Sequence, residues 1–355
     1  MKLFWQKVIA NKSRPQYWPF LLLLWMASLV YRTLNALNLA INANKIKLNV
    51  PVVSVGNLTV GGAGKTPIVI ALAQMLKDKG YKIGIVARGY GQESNEIITG
   101  TGAELCQRKA AEIGDEPLMM AECLRDAYFA VDSPKWKAAQ ELSKMAKLDV
   151  IIIDDGFQHY RLTRNLDIVA IDARYDLWNE SIFPLGRLRE SPKNLKRSDV
   201  IILNRVNQAV ADNDFIKWLE GTYTDKPMPQ AGYKASALIS ADGPKPVEFI
   251  EGKKIMAFSG IADNKSFEDI ILQFKPARLE YIGFVDHCRY GKDEVDAILA
   301  KIGNFDPDLV LTTHKDYVKV RNYNFGPAVY YVKVIPEFMS GYDGLLERLE
   351  GIIGG

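Results

Sequence analysis

The 355-residue sequence predicts an α/β fold: a mostly parallel sheet with helices on both faces, a smaller C-terminal α/β lobe, and an apolar N-terminal helix. Three observations predict it. Short β-branched runs alternate with helical segments along the first 225 residues. The first run, 50–55, passes into a glycine-rich turn and then a helix. A later run, 148–155, is almost wholly apolar and ends in two aspartates, as a strand buried on both faces does.

The N-terminal element comes first in the chain. Residues 16–31 carry no charge, centre on Phe20-Leu21-Leu22-Leu23-Leu24-Trp25-Met26, and lie between Arg14 and Arg32. The run is short for a spanning helix, which needs about 20 apolar residues. No small-residue cleavage site follows it, so a signal peptide fits poorly. Trp18, Trp25 and Tyr31 prefer a bilayer interface. Residues 1–50 hold seven of the 45 basic residues and no acid, and the first of the 42 acidic residues is Asp78. A membrane-docking helix lying in one leaflet, held by apolar burial and by attraction to anionic lipid, is expected. The competing reading is a buried helix of the core. Cys106, Cys123 and Cys288 are widely spaced, which argues against zinc or a disulfide framework and fits a reducing, cytosolic compartment.

The phosphate loop follows the first strand. Thr59-Val60-Gly61-Gly62-Ala63-Gly64-Lys65-Thr66 sits between the strand and a helix whose first turn accepts Pro67. Glycines there let backbone N–H groups face phosphate oxygens, and the helix N-terminus adds a favourable dipole. Lys65 would reach the β- and γ-phosphates of ATP and the Thr66 hydroxyl would ligate Mg²⁺. The fold is therefore of the P-loop NTPase type, with one departure: Thr59 stands where the general pattern has glycine.

The acidic strand supplies Asp154 and Asp155, one of which would act on Mg²⁺; the sequence leaves open which. Further strands are predicted at 82–87, 128–131, 167–172 and 199–203, and in the second lobe at 254–258, 279–284, 308–312 and 328–333. The resulting division is 1–48 for the docking segment, 49–225 for the P-loop kinase domain, 226–250 for a Pro/Gly-rich linker and 251–355 for the C-terminal lobe.

Three clusters bear on the acceptor. Arg88 follows a strand, Asp115-Glu116 lies on a loop before a helix, and Asp286-His287 follows a strand of the second lobe. A hydroxyl attacking the γ-phosphate needs an oriented proton acceptor, and a carboxylate aided by an imidazole can be one.

Taken together the motifs resemble one family, the tetraacyldisaccharide 4′-kinases of lipid A synthesis. The resemblance runs in order through Pro15 and the apolar helix, Ser54-Val55-Gly56-Asn57-Leu58 and the phosphate loop, and Arg88-Gly89-Tyr90-Gly91. It continues in Gly114-Asp115-Glu116-Pro117, Asp154-Asp155-Gly156-Phe157-Gln158-His159, Pro184-Leu185-Gly186-Arg187-Leu188-Arg189-Glu190, Phe258-Ser259-Gly260-Ile261-Ala262, Asp286-His287 and Lys315-Asp316. Thr59 is itself the family's form of the loop. The resemblance implies phosphorylation by Mg-ATP of the 4′-hydroxyl of an acylated glucosamine disaccharide 1-phosphate, forming lipid IVA. It implies Asp115 as the proton acceptor with His287 as its partner, Lys65 on the phosphates, and Thr66, Glu116, Asp154 and Asp155 around Mg²⁺. It implies Arg88, Gln158, His159, Arg187 and Arg189 on the sugars or the 1-phosphate. Substrate and ATP are expected to meet in a cleft between lobes, on the cytoplasmic face of the bacterial inner membrane. Neither a nucleic acid nor an obligate protein partner is expected. Asn264, His314 and Cys288 depart from the family's usual Pro, Glu and His.

Three other readings compete. A partitioning-type ATPase would carry Lys at the position of Val60. A nucleotide-dependent membrane tether would not need Asp115 or His287. A GTPase would rest on Leu203-Asn204-Arg205, which lacks the rest of an Asn-Lys-x-Asp base reader.

Overall fold

The computed structural model describes residues 14–42, 44–89, 96–132, 134–209 and 213–354. Tyr90 and Gly91 of the Arg88 cluster and the basic residues Lys2, Lys7 and Lys12 lie outside them. The chain forms two compact units that interleave in sequence. Unit one takes the chain through Lys65, then Asp155–Gly232, and the segment from Phe338. Unit two takes Thr66–Asp154 and Tyr233–Glu337.

The longer helices among the described residues are α1 (Trp18–Ile41), α2 (Lys65–Asp78), α3 (Asp115–Cys123), α4 (Lys135–Met145), α5 (Asp214–Thr222), α6 (Asn264–Leu272), α7 (Lys292–Phe305), α8 (His314–Val320) and α9 (Tyr342–Ile353). The strands are β1 (Val52–Gly56), β2 (Ile83–Ala87), β3 (Ile98–Thr101), β4 (Tyr128–Val131), β5 (Val150–Asp154), β6 (Leu166–Asp172) and β7 (Val200–Asn204). They continue with β8 (Gln230–Ser240), β9 (Gly243–Lys245), β10 (Lys254–Ser259), β11 (Arg278–Gly283), β12 (Leu309–Thr313) and β13 (Val329–Ser340).

In unit one β1, β6 and β7 are parallel, with Val53 opposite Leu166 and Ile168 opposite Val200. Every residue of these strands is buried, which is why they read as continuous apolar runs. The first residues of β8 extend β7. Leu58, Phe157, Val169, Leu195, Ile201 and Phe215 form the core on one side. Helix α1 belongs to this unit yet buries only Ser28. It runs past the uncharged stretch 16–31 and within the expected docking segment 1–48, because Leu34, Ala36, Leu37, Leu39 and Ala40 continue as good helix formers. It stops at Asn42, whose amide donates to the Asn38 carbonyl at 2.8 Å.

In unit two β5, β2 and β4 are parallel and β3 closes that edge antiparallel. Helix α4 buries Lys135, Ala138, Ala139 and Leu142, an i, i+3, i+4, i+7 stripe. Gly84 of β2 lies where a Cβ would stand 2.9 Å from Leu142, so the close approach of helix and strand requires glycine. The other part of unit two runs β11, β10, β12 and β13, all parallel, with β8 beside β13 and β9 antiparallel on β8. Its two faces carry separate cores, around Ile255, Leu309 and Phe267, and around Phe258, Tyr290 and Ile298.

The predicted strands fall within two residues of these at every starting edge, but β13 runs on to Ser340 and three strands were not foreseen: β3, β8 and β9. The stretch 226–250, read from its prolines and glycines as a linker, holds both β8 and β9. Its turn residues bracket the strand rather than replace it, and alternating exposure along β8 lets small and polar residues occupy it.

Candidate active site

The phosphate loop belongs to unit one and is built from β1. Gly56 ends that strand where a Cβ would lie 2.4 Å from the Phe157 Cβ, so no side chain fits. Buried Asn57 donates through Nδ2 to the Thr59 carbonyl at 2.8 Å. The segment before β7 straps the loop: the Val60 N–H donates to the Arg187 carbonyl and the Arg189 N–H to the Leu58 carbonyl, each at 2.7 Å. Gly61 and Gly64 take φ of 110° and 73°, a region that costs glycine nothing. From the end of β7, Asn204 donates to the Ala63 carbonyl at 2.8 Å and Arg205 to the Gly62 carbonyl at 2.9 Å. Asn204, which a GTPase would use to read a base, is committed to shaping the loop.

Lys65 opens α2, and its ammonium lies 3.4 Å from the Asp155 carboxylate. Asp155 itself sits at a φ of 52° just past β5 and accepts from Arg189 Nη1 at 2.7 and 2.8 Å. Gln158 joins Arg189 at 3.2 Å, the Asn57 carbonyl at 2.9 Å and the buried Glu190 at 2.8 Å. Four of the residues singled out in the sequence, Lys65, Asp155, Gln158 and Arg189, thus form one network. Arg187 stands apart from it, paired with Glu180 at 2.7 Å and stacked 4.0 Å from the Tyr175 ring. His159 offers its backbone carbonyl to Arg164 at 2.8 Å.

The second constellation lies within unit two. Gly114, at a φ of 91°, turns the chain so that Asp115 and Glu116 begin α3. His287, itself at a φ of 60°, places Nδ1 3.3 and 3.1 Å from the two oxygens of Asp115. These residues are 172 positions apart in sequence. Lys315 lies 3.2 Å from His287 Nε2, 3.1 Å from Glu116 and 3.4 Å from Asp286. An ammonium can only donate, so Nε2 is the acceptor and the ring proton sits on Nδ1, donated to Asp115. Lys319 stands 3.5 Å from Asp115. Asp154, at the end of β5, is buried, and its carbonyl accepts from the buried Lys135 ammonium. Arg88 is exposed at the end of β2.

Burial pushes the Asp115 pKa up, but the His287 hydrogen bond and the Lys315 and Lys319 charges outweigh it and hold the carboxyl at about 2. Burial works against the Lys315 charge too, yet Glu116, Asp115 and Asp286 leave its pKa raised. The site is a buried cluster whose charges sustain one another. A depressed folded-state pKa contributes stability above the unfolded-state value and loses it as pH falls. Between pH 5 and pH 3 the wild type is therefore expected to lose about 1 kcal/mol more stability than Asp115→Asn, read from urea unfolding at both pH values.

Lys319 was not foreseen as part of this cluster. A signal existed: on a helix it lies i+4, one turn, from Lys315 and i+3 from Asp316.

A family model described as tetraacyldisaccharide-1-P 4′-kinase matches residues 20–353. The tetraacyldisaccharide 4′-kinase of Geobacter metallireducens is 34% identical over 278 residues, covering 77% of this chain and 80% of its own length. That of Bdellovibrio bacteriovorus is 33% identical over 307 residues, covering 85% and 89%. A crystal structure of LpxK from Aquifex aeolicus in complex with ATP matches with a TM-score of 0.74 at 27% identity, covering 93% of this chain and 98% of that one.

Proposed function

The chain belongs to the tetraacyldisaccharide-1-P 4′-kinase family, and from that premise we propose how it moves a phosphoryl group from ATP to the 4′-hydroxyl of an acylated glucosamine disaccharide 1-phosphate. The observation that carries the reading is the Asp115–His287 pair, an ionised carboxylate held by an imidazole at 3.1 Å.

Backbone amides of the loop 59–66 and the Lys65 ammonium hold the triphosphate. The 4′-hydroxyl donates to Asp115. As its oxygen bonds to the γ-phosphorus and the bond to ADP breaks, the proton passes to the Asp115 carboxylate. In a loose transition state that proton leaves late, so the position of the acceptor matters more than its basicity, and a pKa of about 2 is no obstacle. The His287 Nδ1–H keeps the carboxylate aimed. Arg88, Gln158, His159, Arg187 and Arg189 hold the sugars and the 1-phosphate.

Thr66, Glu116, Asp154 and Asp155 offer the hard oxygen donors that suit Mg²⁺. Among the described residues no group of three or more His, Cys, Asp or Glu could hold a metal alone. An ion carried in on the nucleotide would need only some of these donors. When bound, it neutralises charge on the phosphates.

The lipid acceptor explains α1. Residues 15–41, with a mean hydropathy of 1.5, are long and apolar enough to cross a bilayer by length and composition. Yet α1 is tied sideways to unit one. Trp18, Leu21, Leu22 and Trp25 share a shallow cavity of about 370 Å³ with Ser181 and Leu185, and Tyr31 meets Phe183 edge to face at 5.6 Å. A helix fastened along several turns docks on one leaflet rather than threading through both. The supply of ATP puts that leaflet on the cytoplasmic side of the inner membrane. Changing Leu22 and Trp25 to Glu is expected to cut sedimentation with anionic vesicles at least about tenfold, since each apolar side chain contributes about 1.5–3 kcal/mol when buried.

The kinase reading is tested with purified protein, detergent micelles, γ-labelled ATP and the acylated disaccharide 1-phosphate. Label on the lipid supports it; label recovered only as inorganic phosphate overturns it in favour of an ATPase.

A further inference from the structure

We infer that Lys319 is the positioning residue of the proton-accepting pair, fixing Asp115 and the His287 loop from a single atom. The inference rests on the reading of Asp115 as the proton acceptor. Lys319 Nζ has three partners on three segments of unit two: it donates to the Cys288 carbonyl at 2.9 Å and forms ion pairs with Asp115 Oδ2 of α3 at 3.5 Å and with Asp316 Oδ1 of α8 at 2.9 Å. The side chain is 10% exposed, and the ammonium also lies 5.1 Å from the centre of the Tyr290 ring.

Each acceptor has its own consequence. Cys288 directly follows His287, whose φ of 60° is one that a side chain adopts only when its surroundings hold it there. The Lys319 bond to the Cys288 carbonyl and the bond from the His287 N–H to the Gly260 carbonyl, at 3.1 Å, clamp that residue from both sides. Asp316 is fully buried and accepts from the Gly260 N–H at 2.9 Å and from the Thr313 hydroxyl at 2.7 Å. The same ammonium therefore reaches the carboxylate, the imidazole's own loop and the backbone on which that loop rests. Asp115 Oδ2 is also the oxygen that His287 Nδ1 approaches most closely, at 3.1 Å. Loss of Lys319 would free both members of the pair at once, whereas nothing it touches belongs to the phosphate loop.

The test measures kcat and KM for five variants, Asp115→Asn among them, with ATP and the micellar lipid. Lys319→Met is expected to lower kcat about 30- to 100-fold with KM for ATP changed less than about 2-fold, because position and not nucleotide binding is lost. Lys319→Arg keeps a cation and is expected to recover most of that loss. In an Asp115→Asn background, Lys319→Met is expected to cost less than about 3-fold, since both act through one group. The double variant Lys319→Met/Asp316→Asn removes the charge that Lys319 would otherwise leave uncompensated. If it stays as slow as Lys319→Met, positioning is upheld; if it regains wild-type turnover, Lys319 serves only to balance Asp316 and the inference is overturned. Wild-type kcat in Lys319→Met with a slow Asp115→Asn overturns the inference alone. Wild-type turnover in Asp115→Asn instead removes the reading beneath it.

Discussion

Substituting Lys65 with alanine is expected to lower kcat/KM for ATP by about 10³-fold, or roughly 4 kcal/mol of transition-state stabilisation. The size follows from the chemistry. Phosphoryl transfer asks little covalent work of a protein, so electrostatic contact with the β- and γ-phosphates carries much of the rate. Lys65 is set for that contact by its place at the first position of α2, after two glycines in the left-handed region. Among the described residues it pairs with Asp155, at a distance of 3.4 Å that is loose enough to be given up when a triphosphate arrives. The fold should survive the change. Asp155 keeps its two short bonds to Arg189, so no carboxylate is left uncompensated. A thermal midpoint within a few degrees of wild type, beside the lost turnover, is the expected pair of results; lost turnover with a collapsed midpoint would point to a structural role instead.

Replacing Asp115 with asparagine is expected to lower kcat by about 10²- to 10⁴-fold while leaving KM for ATP nearly unchanged. Asparagine keeps the shape and can still accept from His287 Nδ1, so only the capacity to take a proton is removed. His287→Ala is expected to cost less, about 10- to 100-fold, because the carboxylate remains and only its aim is lost. The double variant should be no more than about 3-fold slower than Asp115→Asn alone, as groups that act as a unit do not add. Steady-state rates on the same micellar substrate measure all three. Additive losses would mean that the two residues work on separate steps, and the 3.1 Å contact between them would then lack a catalytic meaning.

Much of this was legible in the residues. Strands buried on both faces announce themselves, since a parallel sheet leaves no exposed positions in β1, β5, β6 or β7 and their residues are mostly apolar. The phosphate loop is equally plain, because its conformation demands glycine at Gly61 and Gly64 and its chemistry demands a lysine at the helix start. Strand β8 was not legible. Its alanines and serines have weak strand preference, its exposure alternates, and Pro227, Pro229 and Gly232 pull the reading towards turns. Asp115 and His287 could each be suspected from their motifs, but no pattern of spacing states that residues so far apart meet. That meeting depends on the start of α3 and the loop after β11 lying together in unit two. Lys319 shows the same limit: its helical spacing places it on the Asp316 side of α8, and only the packing reveals that Asp115 lies on that side as well. The uncharged run alone understates α1: it stops at Arg32, but an exposed helix face tolerates an arginine and the helix continues.

The phosphate is expected on one particular oxygen of the acceptor, and NMR of the isolated lipid product reads which one. After incubation with ATP, a new ³¹P phosphomonoester signal that correlates with the proton on carbon 4′ of the distal glucosamine is the result expected. A product whose new phosphorus couples instead to the existing 1-phosphate, as a diphosphate, or to any other sugar position would contradict the account.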